Sequence, residues 1–149
     1  MTRLGKEEIG RLLPHGPSMC LLEVVERWDA LTITCRTTTH RDPQNPLRFK
    51  GRLTAAAGLE YAAQAMGAHV GLLTGGGHSR HRIGLVGAVR DVVFAADRLD
   101  EHDGWLVVTA RRLIEGEQGY MYHFTVAHRL STLIEGRASI FVKDAADVL

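Results

Sequence analysis

The longest apolar run in the chain covers residues 53–74, LTAAAGLEYAAQAMGAHVGLLT. It predicts the element around which the rest is organised. Ala and Leu favour helix, and Gly58, Gly67 and Gly71 are tolerated where neighbours pack closely on them. About 20 residues at 1.5 Å rise make a helix roughly 30 Å long. Inside it the polar exceptions are Glu60, Tyr61, Gln64 and His69. A helix apolar nearly all round is buried in a core or spans a membrane. Glu60 and Gln64 are four apart and share one face near mid-span, where a carboxylate is costly in lipid. The pattern therefore favours a helix enclosed by a soluble sheet, with Glu60 held inside as a buried acid.

Ahead of this helix, residues 6–13 form a short amphipathic turn or helix stopped by Pro14, and His15-Gly16-Pro17 signals a turn. Residues 19–28 read as a strand with Cys20, Leu22 and Val24 on one face and Glu23 and Arg27 on the other. Asp29-Ala30 is a tight turn. Residues 31–38 alternate, with Leu31, Ile33 and Cys35 inward. Pro43 and Pro46 make residues 40–51 a loop, and Thr54 caps or opens the helix. After the helix, Gly75 to Gly77 and the basic stretch to Arg82 form a loop. Four strands follow, over residues 83–95, 105–115, 120–130 and 133–142. Gly84 and Gly87 suggest a bulge or a close backbone approach in the first of them. Asp103-Gly104, residues 116–119 and Ser131-Thr132 supply the turns. Strand runs joined by tight turns favour an antiparallel sheet. One long helix against one such sheet is an α+β design. About six strands wrapped around one central helix is the arrangement called a hotdog fold.

Composition narrows the function. A length of 149 residues fits a single domain spanning residues 1–149 with a real core. A net charge of +1 gives no argument for a nucleic-acid groove. The N-terminus lacks the apolar core and small-residue site of a signal peptide, so a cytoplasmic location is expected. Cys20 and Cys35 have no metal-like spacing and read as small apolar residues facing a core. His78 and His81 form a lone H-x-x-H pair in a Gly-rich loop, short of the ligands a metal needs. His15 reads as a turn residue, His69 as a packed or interface residue.

The residues also carry a family resemblance. Leu13-Pro14-His15, followed by Leu21-Leu22-Glu23, resembles the N-terminal signature of bacterial 3-hydroxyacyl-acyl carrier protein dehydratases. The stretch Gly58-Leu59-Glu60-Tyr61-Ala62-Ala63-Gln64-Ala65-Met66-Gly67 is similar to their central helix. Thr38-Thr39-His40, Asn45-Pro46-Leu47-Arg48 and Phe49-Lys50-Gly51 resemble the connecting loop of a divergent branch tied to aryl-polyene and fatty-acid-like pathways. The resemblance implies syn-elimination of water from a 3-hydroxyacyl thioester on an acyl carrier protein. In such enzymes a His removes the C2 proton, and an acid on the central helix of the other subunit assists the leaving hydroxyl. A C2 proton is weakly acidic and hydroxide leaves poorly, so both transfers need help. Helix N-terminal amides polarise the thioester carbonyl.

The chain departs from that pattern at Gly51-Arg52-Leu53-Thr54, where the usual family has Gly-His-Phe-Pro. Arg52 stands in place of the His, and His40 is the residue placed to substitute for it. The expected catalytic pair is thus His40 and Glu60, with Gln64 and Gly58 positioning substrate. Gln64 either orients the acid or satisfies a neighbouring carbonyl. Arg48, Lys50 and Arg52 are either a solvated loop or a docking patch for the acidic carrier protein or its phosphopantetheine. No metal or redox cofactor is implied. A homodimer joined sheet edge to sheet edge is expected, with a heterodimer with a related dehydratase as the alternative. Two other functions share this reading: a thioesterase on the same fold and a non-catalytic partner subunit.

Overall fold

The computed structural model describes residues 3–13, 19–75, 82–116 and 119–144. His15, His78 and His81, the Pro14 stop and the Gly76-Gly77 pair lie outside the described residues. The elements run β1 (Leu4–Gly5), α1 (Lys6–Leu12), β2 (Val24–Trp28), β3 (Thr32–Thr37), α2 (Gly58–Leu73), β4 (Arg82–Phe94), β5 (Leu106–Glu115), β6 (Gly119–His128) and β7 (Ser131–Asp144). Single 3-10 turns occupy Thr39–Arg41 and Ala55–Ala57.

The strands form one seven-stranded sheet in the order β1-β2-β3-β5-β6-β7-β4, and every pairing is antiparallel. The helix α2 packs against five of these strands, β3 to β7, and against α1. This is the expected hotdog arrangement with seven strands rather than about six. The additional strand is the two-residue β1, too short to carry a hydrophobic period. The helix is a 16-residue α-helix entered through the 3-10 turn, narrower than the apolar run. The Thr54 side chain makes no cap. Its place is taken by main chain: Ala55 N–H donates to Asp97 O at 2.8 Å.

The core is one cluster built from α1, α2 and the concave sheet face. Ile33 and Cys35 of β3 and Tyr122, Phe124 and Val126 of β6 are inward, as their alternation predicts. Both cysteines are free and buried. Leu31, expected inward, is half exposed because it sits in the turn before β3 rather than in the strand. That turn is fixed by Asp29, whose Oδ1 accepts the N–H groups of Leu31 and Thr32 at 2.9 and 2.8 Å. The expected strand over residues 19–28 begins only at Val24. Cys20, Leu21 and Leu22 are all buried, and the Leu21 amide and carbonyl are taken by the side chains of Gln64 and Thr37 rather than by a ladder. Gly87 marks the expected irregularity of β4: the register against β7 shifts there, and an added Cβ would stand 2.1 Å from the Phe141 ring. The β6–β7 turn lies at Arg129-Leu130, two residues ahead of the Ser131-Thr132 expectation, with Arg129 left-handed at φ 53°.

Candidate active site

The first turn of α2 meets the loop that precedes it through a buried polar network. Tyr61, fully buried on α2, shares its hydroxyl with Thr39 Oγ1 at 2.8 Å and accepts from Asn45 Nδ2 at 2.9 Å. Thr37 and Thr39 both donate to Leu21 O, at 2.6 and 2.7 Å. Glu23 accepts from the Thr38 amide, and from the Thr38 hydroxyl at 2.7 Å. Gln64 completes the set. Its Oε1 accepts from Leu21 N–H at 2.8 Å, and its Nε2 donates to Met19 O at 3.0 Å and to Glu60 Oε1 at 3.4 Å. Gln64 thus ties down the backbone ahead of β2 and touches the Glu60 carboxylate. Buried amides of this kind are nearly always paired.

Glu60 itself is exposed, which corrects the expectation of a buried acid. It lies in the first turn of α2, on the side that the single chain leaves uncovered. Gly58 is buried two residues earlier. A Cβ there would fall 2.0 Å from Ile134 Cδ1, so glycine lets the helix entry sit directly on β7.

His40 is fully buried in its 3-10 turn. Its Nε2–H donates to His102 O at 2.6 Å, and its Nδ1 is buried without a hydrogen-bond partner. Burial pushes its pKa below the ordinary histidine value. Among the described residues no hydrogen bond joins His40 to Glu60; Gln64 is the partner of Glu60 and His102 O the partner of His40.

The carbonyl that His40 holds belongs to a turn over residues 99–104, of which the sequence pattern marks only Asp103-Gly104. Asp100 anchors this turn. Its carboxylate takes Leu53 N–H at 3.2 Å and the Arg98 guanidinium at 3.0 and 2.6 Å, with Arg48 at 3.5 Å. Arg98 holds the Asp100 carboxyl well below the usual carboxylate range, at about 2. The signal was present as a charge-rich stretch, Asp97-Arg98-Leu99-Asp100-Glu101-His102-Asp103, but charge runs most often mark solvated surface.

The three basic loop residues diverge. Arg48 is turned inward: it donates to Asp42 O, Gly51 O and His40 O and pairs with Asp100. Lys50 and Arg52 are exposed on a two-residue hairpin closed by Phe49 N–H to Arg52 O at 2.8 Å and Arg52 N–H to Phe49 O at 3.0 Å. Lys50 and Gly51 are both left-handed there, at φ 52° and 76°. Phe49 is 70% exposed, with Lys50 Nζ 5.3 Å from its ring centre. Arg52 then lines a half-open groove of about 480 Å³ with Thr54, Asp97, Arg98, Glu101 and His102.

On the far part of α2, His69 is buried and fully paired. Its Nε2–H donates to Asp29 O at 2.7 Å, so Nδ1 accepts the Tyr122 hydroxyl at 2.6 Å. It is a packing residue that bolts the helix to β6 and to the β2–β3 turn. Among the described residues no set of three or more His, Cys, Asp or Glu could hold a metal ion. No helix there is long and apolar enough to cross a membrane.

Comparison with solved structures gives the same fold. A chain of the dehydratase heterocomplex ApeI:P from Xenorhabdus doucetiae superposes with a TM-score of 0.80, at 22% identity, covering 95% of this chain and 94% of that one. The thioesterase HI1161 from Haemophilus influenzae gives 0.66 at 11% identity, covering 95% and 92%. A hypothetical thioesterase with coenzyme A from Streptococcus pneumoniae gives 0.59 at 13%, covering 80% and 84%. No curated protein sequence matches the chain. The family model described as ApeP dehydratase, ApeP-like, matches residues 7–149, and the chain belongs to that family.

Proposed function

We propose that the chain is a subunit of a dimeric dehydratase that converts a 3-hydroxyacyl thioester on an acyl carrier protein to the trans-2-enoyl thioester. Glu60 is its general acid. Membership of the dehydratase family supports the reaction class. The observation that carries the rest is the position of Glu60: a carboxylate exposed in the first turn of a helix that is otherwise mostly buried. A reaction centre needs water excluded, and a single chain does not exclude it at Glu60. An adjoining hotdog subunit closes the site and excludes water from the carboxyl, which then faces the departing hydroxyl as proton donor. The neighbour is a second copy or a related dehydratase subunit; the similar ApeI:P structure is a dehydratase heterocomplex.

In this reading Gln64 Nε2 holds one oxygen of Glu60, leaving the other to face the departing hydroxyl. Lys50, on its stiff hairpin beside Phe49, meets the acidic surface of the carrier protein, while Arg48 braces the hairpin from below. The thioester arrives on the carrier's phosphopantetheine, and no cofactor takes part.

The test is turnover of 3-hydroxyacyl-carrier protein by the full-length chain, alone and with an added related dehydratase subunit. Product is followed by the absorbance of the enoyl thioester. In a symmetric dimer every site uses a Glu60, so Glu60→Gln lowers turnover by about 10²-fold or more while the near-isosteric side chain keeps the fold. Undiminished turnover in that variant removes Glu60 from the mechanism. Release of free thiol in place of enoyl product assigns the chain to thioester hydrolysis instead.

A further inference from the structure

The turn over residues 99–104 is held more firmly than a surface loop requires. His102 N–H donates to Leu99 O at 3.1 Å, and Leu99 N–H donates to Leu53 O at 2.8 Å. Arg41 Nη1 donates to Asp100 O at 2.8 Å, His40 Nε2 to His102 O at 2.6 Å, and His128 Nε2 to Asp103 O at 2.6 Å. Three side chains from two parts of the chain, the 39–41 turn and the end of β6, thus fix the carbonyls of Asp100, His102 and Asp103, and Asp100 ties the same turn to the entry of α2. Such pinning holds whatever the turn presents within a narrow range of positions.

What it presents is the imidazole of His102. The ring packs edge-on against His128, with centres 5.0 Å apart. Its Nδ1 is buried and has no hydrogen-bond partner. The residue is only half-buried and lines the groove, so Nε2 is the nitrogen left to face it. His40 and His128 both use their Nε2 on backbone carbonyls, whereas His102 uses neither ring nitrogen on any described residue. The same groove is lined by Arg52, which carries a permanent positive charge, and by Thr54 just ahead of α2.

We propose that His102, not His40, is the proton acceptor that this chain contributes to thioester dehydration, with its Nε2 directed into the groove beside Arg52. The proposal rests on the dehydratase reading above and extends it to a residue that reading does not use. In the step, the C2–H proton of the bound thioester passes to His102 Nε2. The electron pair of that bond becomes the C2=C3 double bond as the C3–O bond breaks. The hydroxyl leaves as water with a proton from a carboxylic acid of the adjoining subunit, which is Glu60 where that subunit is a second copy. The imidazolium then returns its proton to the carboxylate through solvent. Arg52 stabilises the negative charge that develops on the thioester oxygen while the C2–H bond breaks. His40 acts through the backbone of His102 and is a positioning residue.

The experiment uses a 3-alkynoyl thioester of N-acetylcysteamine on the full-length chain, in the same preparation assayed for dehydration. A base that removes its C2 proton and returns it to C4 converts the probe to an allenoyl thioester. The electrophilic C3 of that product then bonds to the nearby imidazole, adding the whole mass of the probe. Peptide mass mapping is expected to place this mass on His102, and His102→Asn is expected to lose it while keeping the circular dichroism of the wild type. His123→Ala, a surface residue paired with Glu135, is expected to label like wild type. A preparation that dehydrates but carries the label on another residue of this chain, or carries none, overturns the proposal and leaves the function standing. A preparation of wild type that neither dehydrates nor labels removes both.

Discussion

At the scale of single residues, the histidines separate by what their ring nitrogens touch. His69 and His40 are both buried in their neutral forms, one between Asp29 O and the Tyr122 hydroxyl, the other under the 99–104 turn. Burial lowers both pKa values from the ordinary 6.5. In that window the unfolded chain binds more protons than the folded one. The stability the neutral rings provide is therefore complete above about pH 6.5 and is lost as pH falls through the folded values. Thermal melts from pH 8 down to pH 5 should show Tm dropping below about pH 6.5. The drop should be smaller in His69→Gln, which can keep one bond and has nothing to protonate. An unchanged slope in that variant would show that His69 does not titrate with unfolding. Sequence told less at this scale than at any other. Glu60 read as buried because a helix made of Ala and Gly has no polar stripe to reveal which face the sheet leaves open. His40 stood out by its place ahead of the helix, yet the partner that occupies it, a carbonyl 62 residues on, has no local signature. The same holds for Asp100 and His102, whose roles come from elements that meet only in the folded chain.

At the scale of elements, hydrophobic period carried most of the fold. The alternation of Tyr122, Phe124 and Val126 and the apolar run of α2 each gave the element and its buried face. Boundaries failed where the backbone is satisfied by something other than its own ladder. Residues 20–22 looked like strand because they are apolar, but Gln64, Thr37 and Thr39 take the amide and carbonyl of Leu21. The β6–β7 turn was misplaced because Arg129 and Leu130 carry none of the usual turn residues, although Arg129 adopts the left-handed conformation the hairpin needs. Glycine has a sharper role at the start of β6. A Cβ on Gly119 would fall 1.9 Å from Ile140 O and 2.9 Å from its carbonyl carbon. These are backbone atoms of the paired strand and cannot swing aside as a side chain can. Gly119→Ala should therefore force β6 and β7 apart locally and cost about 3 kcal/mol. Chemical denaturation would read this as a lower midpoint, and a midpoint within error of wild type would mean the strands absorb the methyl group by sliding.

For the whole molecule, the decisive feature is an edge. The sheet ends at β1, two residues long, and at β4, thirteen residues long and paired on one side only, with β7. Long edges are commonly blunted by lysines, proline or inward charges. β4 has two register shifts against β7 but presents Val86, Val89, Val93 and Phe94 to solvent, with Val93 60% exposed. Such an apolar edge is stable in water when another strand covers it. An adjoining subunit that pairs along β4 covers the valines and extends the sheet across the interface. Under the proposed function it also brings a second hotdog helix alongside to enclose Glu60. The edge and the acid thus make one demand, and a substitution in the first should be felt at the second. Val93→Lys leaves the subunit's own core intact, because Val93 contributes little to it, but places a charge on the edge. Light scattering after size exclusion should show the proposed dimer weakened at least tenfold toward monomer. Dehydration should fall with it and recover as protein concentration is raised. A variant that stays dimeric and fully active would place the interface on another face of the sheet and leave Glu60 to be enclosed in some other way.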